Sequence, residues 1–322
     1  MALPARDVIG ILADNLRLRG SVLPISAKNA TRWTRGLGLP RGGETVVYTG
    51  QMYQLIPYIE GLVRAEQRLA ETRLARLTGL GRRVNRLVNV SAFMARPSPA
   101  ERAEFDRVPR TVVQLLRDAG IEPGCLYEDD LYAGTLAHDL GLDEIVASHA
   151  RRVQEIFRRH GVRTVITIDP HTTSMLRSVY PRLLEGYDLE VKSYLEVLAA
   201  RDGDAIPQLT RSVVLHDSCV FARYEDVVEE PRRLLERAGY GVVEPEQHGR
   251  LTWCCGGPAE ALHPDVAAKV AEDRVGQLRR AGGECVTMCP ICLVNLRKAA
   301  NGTVQIRDIS DYLSAAAVDA ER

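Results

Sequence analysis

The chain has 322 residues, 45% hydrophobic and 26% charged, a globular composition with length enough for two domains of ordinary size. Its 42 basic residues balance 42 acidic ones, which excludes the strongly basic footprint of a general nucleic-acid binder. No run of 18 apolar residues occurs, and Asp7, Asp14, Arg17 and Arg19 interrupt the N-terminus, so neither a transmembrane segment nor a signal peptide is expected and the chain reads as soluble and cytoplasmic.

In chain order, residues 1–43 read as an N-terminal arm. The run TVVYTG at 45–50 is the first β-branched, strand-like segment. An insert at about 61–107 is helical in pattern and rich in arginine (Arg64, Arg68, Arg73, Arg76, Arg82, Arg83, Arg86). It suits either a solvated hairpin or a docking surface for a partner subunit. Pro97-Ser98-Pro99 breaks it before a short helix that starts near Ser98 or Pro99. A helix is predicted over 142–160 with Gly161 as its cap, then a strand over 162–168 stopped by Asp169-Pro170. SVVLHDS at 212–218 and ECVTMCP at 284–290 repeat the strand pattern, and a helix over 266–281 ends at Gly282. Strand-like runs alternating with helices predict an α/β fold of parallel sheets flanked by helices.

The chain also repeats itself. TIDPHTTSMLR (167–177) aligns without gaps on TMCPICLVNLR (287–297), with Asp169 and Thr172 standing where Cys289 and Cys292 stand. Upstream, Tyr132-Ala133-Gly134 answers Cys254-Cys255-Gly256, and TVVYTGQ ending at Gln51 answers SVVLHDSC ending at Cys219. LEVKSYLEVL resembles VQIRDISDYL, and the 109–123 segment echoes 231–245. The expected organisation is therefore two tandem pseudo-repeated units, 44–205 with the helical insert and 206–322, of which only the second keeps the cysteines.

Six of the seven cysteines fall between 219 and 292, and an odd count without a secretion signal does not suit a disulfide scaffold. The intact set is Cys219, 34 residues, Cys254-Cys255, 33 residues, then Cys289-x-x-Cys292. Each thiol follows a strand-like run or sits in a glycine-containing loop, and loops at the carboxyl edge of a parallel sheet converge. Soft thiolates select iron–sulfur clusters, zinc or copper. Five are too many for one tetrahedral zinc, and neighbouring cysteines serve the separate corners of a multi-iron cluster more easily than one ion. The compact ferredoxin-type run is absent.

With Cys-Cys-Gly and Cys-Pro-x-Cys at these spacings, the sequence resembles the cysteine-rich CCG domain of heterodisulfide reductase subunits B and D. The same domain occurs in iron–sulfur subunits of lactate, glycolate and glycerol-3-phosphate oxidases. The resemblance runs from about Thr45 to Leu313 and is full in the second copy, although the last spacing is at the short end. It implies a [4Fe-4S] cluster, non-cubane in some members, held by Cys219, Cys254, Cys255, Cys289 and Cys292. Gln51, Tyr132-Ala133, Asp169 and Thr172 imply that the first copy holds no thiolate-bound cluster. The implied role is a redox subunit in thiol–disulfide or sulfur-compound electron transfer, working with a ferredoxin-type iron–sulfur subunit or a flavoprotein subunit. The alternatives are a pure electron relay for a flavoprotein 2-hydroxy-acid or glycerol-3-phosphate dehydrogenase, and a zinc-stabilised assembly protein. One cluster cannot hold both halves of a split disulfide.

Other residues carry two readings each. His216, in a motif that in the family often reads His-Asp-Pro-Cys, is a candidate proton relay or sulfur hydrogen-bond donor, and Asp217 a candidate to orient loop amides or simply an Asx turn. Asp169 and His171, with Thr172, Thr173 and His138, are either a metal or polar-substrate site or a decayed site whose Asp caps a helix. Cys285, inside a predicted strand, reads as a small hydrophobe and Cys125 as a lone structural thiol, while Trp253 either shields a cluster or packs. Gly256-Gly257 is not a nucleotide fingerprint.

Overall fold

A computed structural model describes residues 5–23, 25–70, 97–201, 211–260 and 263–320. The centre of the insert, with Arg73, Arg76, Arg82, Arg83 and Arg86, lies outside the described residues; its flanks are the helices Met52–Ala70 and Pro99–Asp118. The second of these opens on a capping box. Glu101 N donates to Ser98 Oγ at 3.1 Å, and Ser98 N donates to Glu101 Oε2 at 2.6 Å.

Among the described residues the strands form two four-stranded parallel sheets. β1 (Thr45–Tyr48), β2 (Gly124–Cys125), β3 (Thr164–Thr167) and β4 (Glu190–Ser193) are ordered β2-β1-β3-β4. β5 (Arg211–Leu215), β6 (Tyr240–Val243), β7 (Glu284–Thr287) and β8 (Gln305–Asp308) are ordered β6-β5-β7-β8. The two orders are the same permutation, so the repeat is one of structure as well as sequence. Matched residues do matched work. Arg177 Nε donates to Val191 O of β4 at 3.0 Å, and Arg297 Nε donates to Ile306 O of β8 at 2.8 Å. Gly134 and Gly256, at the matched loops, are both left-handed (φ 99 and 82).

The strands form because their apolar runs are covered on both faces, as parallel sheets require: Val46, Val47, Tyr48, Val213, Val214 and Leu215 are all buried. Helix Asp143–Arg159 buries Val146, Ala150, Val153 and Phe157 along one stripe, each large side chain contributing about 1.5–3 kcal/mol. It stops at Gly161, whose φ of 69 disfavours any residue with a Cβ. The second predicted glycine cap works differently. Gly282, after helix Pro264–Ala281, is extended at φ 171, and a Cβ there would meet Val214 Cγ2 at 2.9 Å. No described helix is long and apolar enough to cross a membrane.

By compactness the chain divides into two units: Met1–Arg110 with Gly124–Arg163 and Val179–Leu189, and Thr111–Pro123 with Thr164–Ser178 and Glu190–Arg322. The segment Thr164–Ser178, which carries the degenerate motif of the first repeat, thus belongs to the same compact body as all five motif cysteines.

Candidate metal centre

β5 and β7 are neighbours in the second sheet, with Val214 opposite Cys285 and Leu215 opposite Val286. Their carboxyl ends therefore deliver two cysteine loops to one place. After β5 the chain turns through His216-Asp217-Ser218, and Cys219 opens a helical turn that passes into the π-helical segment Phe221–Glu225. After β7, Cys289 is the extended residue ahead of helix Pro290–Ala300 (φ −129, ψ 126), and Pro290 fixes the first helical position, so Cys292 falls one turn on. Cys254 and Cys255 come from the loop before Gly256. A Cβ on Gly256 would stand 2.3 Å from Ala267 O, and one on Gly257 would meet Ile291 Cγ2 at 2.2 Å and Cys255 Sγ at 3.5 Å. The two glycines let the vicinal pair approach the helices behind it.

The five thiols form one connected series. Cys219 hydrogen-bonds Cys254, Cys254 hydrogen-bonds Cys255, Cys255 hydrogen-bonds Cys292, and Cys292 hydrogen-bonds Cys289. The outer members, Cys219 and Cys254, are partly exposed, whereas Cys255, Cys289 and Cys292 are buried. Hydrogen bonding to Cys254 raises the thiols of Cys219 and Cys255, and hydrogen bonding to Cys255 and Cys289 raises that of Cys292. Cys254, which accepts from Cys219 and Cys255, is lowered; Gly256 N donates to its sulfur at 3.3 Å. Burial alone would raise Cys289, but the hydrogen bond from Cys292, with the charge and hydrogen bond of His171, holds it well below the ordinary thiol value. Within the series Cys254 and Cys289 are therefore the sulfurs at which the thiolate, the metal-binding form, is most favoured.

No three described His, Cys, Asp or Glu side chains are gathered as the shell of a single metal ion. The thiols stand side by side instead. Orphaned donors lie at the ends of the same two strands: His216 Nε2 and Ser218 Oγ after β5, and Thr287 Oγ1 as the last residue of β7, are buried without a hydrogen-bond partner. Soft thiolates edged by unpartnered N–H and O–H donors fit a sulfur-rich group, because sulfides and ligating thiolates are acceptors.

The supporting shell contains residues that sequence reasoning missed. Arg274, fully buried in helix Pro264–Ala281, donates from Nε to His216 Nδ1 at 3.0 Å. The neutral His216 ring then carries its proton on Nε2. Burial, then the Arg274 charge, hold His216 well below the ordinary histidine value. Arg232 grips Asp217 with two bonds of 2.9 and 3.0 Å and Glu244 with bonds of 2.7 and 3.1 Å. Asp217 accepts Gly249 N at 2.6 Å, and its carbonyl accepts Thr252 Oγ1 at 3.0 Å, so it ties down the loop that leads into Cys254. Neither arginine was legible: both sit on helices where an arginine normally faces water. Trp253 is 37% exposed and donates from Nε1 to Val270 O at 3.3 Å. Cys285 and Cys125 are buried, and burial pushes both thiols up to about 12. They are not thiolates.

Gln51 and Asp169, at degenerate positions of the first repeat, are held by internal hydrogen bonds. Gln51, at φ 59, donates from Nε2 to Asp130 O at 2.6 Å, and Asp130 accepts Thr49 N and Gly50 N at 3.0 Å. Tyr132 and Ala133 are buried, and Tyr180 Oη donates to Ala133 O at 3.0 Å. Asp169 is the helix cap, accepting His171 N and Thr172 N at 2.9 Å. His138, partly exposed at the end of helix Thr135–Asp139, is not gathered with Asp169 and His171 into a metal-binding group.

Residues 213–297 match the family of cysteine-rich CCG domains. The chain carries a CCG domain. That span holds all five connected thiols, and both β5 and β7 contribute to it. The chain is similar to "EtfAB:quinone oxidoreductase" of Syntrophomonas wolfei, 29% identical over 65% of this chain and 32% of that protein. It is similar to "Probable membrane-anchored ferredoxin" of Chromohalobacter salexigens, 28% identical over 65% and 33% respectively. It is also similar to "Probable iron-sulfur-binding oxidoreductase FadF" of Bacillus subtilis, 26% identical over 67% and 32%. The aligned part of the chain spans about a third of the length of these relatives.

Proposed function

We propose that the chain is an iron–sulfur electron-transfer subunit whose CCG domain holds one [4Fe-4S] cluster on Cys219, Cys254, Cys255, Cys289 and Cys292. The observation that carries the reading is the connected series of five thiols, with unpartnered donors beside it. When bound, the cluster supplies one-electron chemistry at a potential set by its charge, exposure and hydrogen bonds. The chain's own part is to hold the thiolates, present a partly exposed edge at Cys219 and Cys254, and keep water from the buried end. His216, neutral and with Nε2–H unpartnered, serves as a hydrogen-bond donor to sulfur, one of the two roles its place in the motif suggests. The cluster-bearing unit is read as 206–322, the degenerate unit as 44–205 and the arm as 1–43.

The relay reading is preferred over heterodisulfide cleavage. The first repeat offers Gln51, Tyr132-Ala133, Asp169 and Thr172 in place of ligands, so a second cluster for the other half of a disulfide has no seat there. Two relatives are named as oxidoreductases and one as a ferredoxin. On this reading a flavoprotein subunit donates electrons and a ferredoxin-type or quinone-linked carrier receives them. The test is iron, acid-labile sulfide and zinc content with EPR on the full chain purified without oxygen, beside Cys255→Ala. About four irons and four sulfides per chain, with a changed spectrum in the variant, is the expected result. One zinc without sulfide overturns the reading and leaves an assembly protein.

A further inference from the structure

The one motif that the cluster reading does not absorb is His171, in the degenerate site of the first repeat. Three observations converge on it. Asp169 clamps the turn, accepting both His171 N and Thr172 N at 2.9 Å, which puts the His171 ring on the first helical turn after β3. The segment belongs to the same compact body as the cysteines, and it packs on the turn that follows Cys219: Pro170–Ser174 lies against Phe221–Glu225, and Ser178 Oγ donates to Glu225 Oε1 at 2.9 Å. The His171 side chain, itself buried, hydrogen-bonds the sulfur of Cys289. Cys289 and the carboxylate of Asp169 are among the groups that interact with that ring. The matched residue of the second repeat, Ile291, presents only a methyl group towards Gly257, and so supplies no donor. A site that had merely decayed would not need an imidazole there, because a buried ring nitrogen is costly unless its hydrogen bond is made.

We infer that His171, supplied by the repeat that lost its own thiols, is the hydrogen-bond donor to the Cys289 ligand, positioning that sulfur and raising the reduction potential of the cluster. The inference rests on the cluster reading above. An N–H directed at a ligand sulfur draws charge from it and so favours the more negative, reduced state. The remnant motif is then part of the redox site: the second repeat provides all the sulfur, and the first provides one of the groups that tune it.

The experiment is an EPR-monitored redox titration of the full chain, purified without oxygen, as wild type, His171→Leu and His171→Gln, each with its iron and sulfide content. Expected is unchanged iron in all three and a more negative midpoint for His171→Leu. A hydrogen bond to a charged acceptor predicts about a tenfold change in the ratio of reduced to oxidised cluster, ~59 mV for one electron. His171→Gln, which keeps an N–H donor, restores most of that shift, which a purely structural role would not do. If His171→Leu folds poorly, His171→Met keeps the bulk without the donor and decides the question. Equal midpoints in wild type and the donorless variant overturn the inference while leaving the cluster reading intact. Loss of iron from both the Leu and Gln variants also overturns it, by making His171 a ligand. A wild-type chain without iron defeats the cluster reading itself, and metal analysis shows that before any potential is compared.

Discussion

Replacing Arg232 by Met tests whether the shell around the cysteines is built as described. Arg232 is half the support of Asp217, whose side chain is only 1% exposed. Removing the guanidinium leaves a buried carboxylate with the Gly249 amide but without its counter-charge. Breaking a buried pair in this way costs roughly 3–5 kcal/mol, against 0–1 kcal/mol for an exposed pair. Arg232 itself is 12% exposed and its second partner Glu244 30%, so water reaches the edge of the site and the lower end, about 3 kcal/mol, is expected. The assay is guanidinium denaturation of reduced protein in a Trp33→Phe background, where Trp253 alone reports on the cysteine-bearing unit. Asp217→Asn in the same background removes the stranded charge, and the double variant should recover at least about 1 kcal/mol relative to the sum of the singles. Because Asp217 also holds the loop before Cys254, iron loading of Arg232→Met should fall with stability. A loss below about 1 kcal/mol with additive doubles would refute the buried-pair reasoning.

Three further outcomes follow from the geometry. Gly256→Ala puts a Cβ at φ 82 and 2.3 Å from Ala267 O, so it should cost at least about 2 kcal/mol and lower iron per chain, read by denaturation and metal analysis. Cys285→Ala should leave iron content at the wild-type level and lose only about 1–2 kcal/mol of packing, whereas Cys289→Ser should lose iron; equal effects would show that Cys285 is a ligand. His149 is buried with Nε2 on Tyr132 O at 2.6 Å, and burial lowers it to about 4 from an unfolded value of 6.5. The unfolded chain binds the proton first as pH falls, so stability should drop between pH 6.5 and 4 by up to about 3 kcal/mol, and a His149→Gln variant titrated over that range should show a flatter profile.

Much of the architecture was open to reading in the sequence because it rests on local, periodic signals. The β-branched runs at 45–48, 164–167, 211–215 and 284–287 are strands in both repeats, and the gapless match of 167–177 with 287–297 fell on helices that bond β4 and β8 through the same arginine. Thiol spacing, together with loops at the carboxyl edge, was enough to nominate the five cysteines. Folding decided what lies across the sequence. Arg274 and Arg232 are charges on amphipathic helices, and only the packing of those helices against His216 and Asp217 turns them inward. Gly161 and Gly282 look alike as helix ends, yet one is left-handed and the other is extended and crowded by Val214. His171 stood in a motif that had lost its ligands. The pattern of residues could say what that motif no longer was, but a contact between positions 171 and 289 exists only once two distant turns share a body, since a hydrogen bond depends on separation in space and not along the chain.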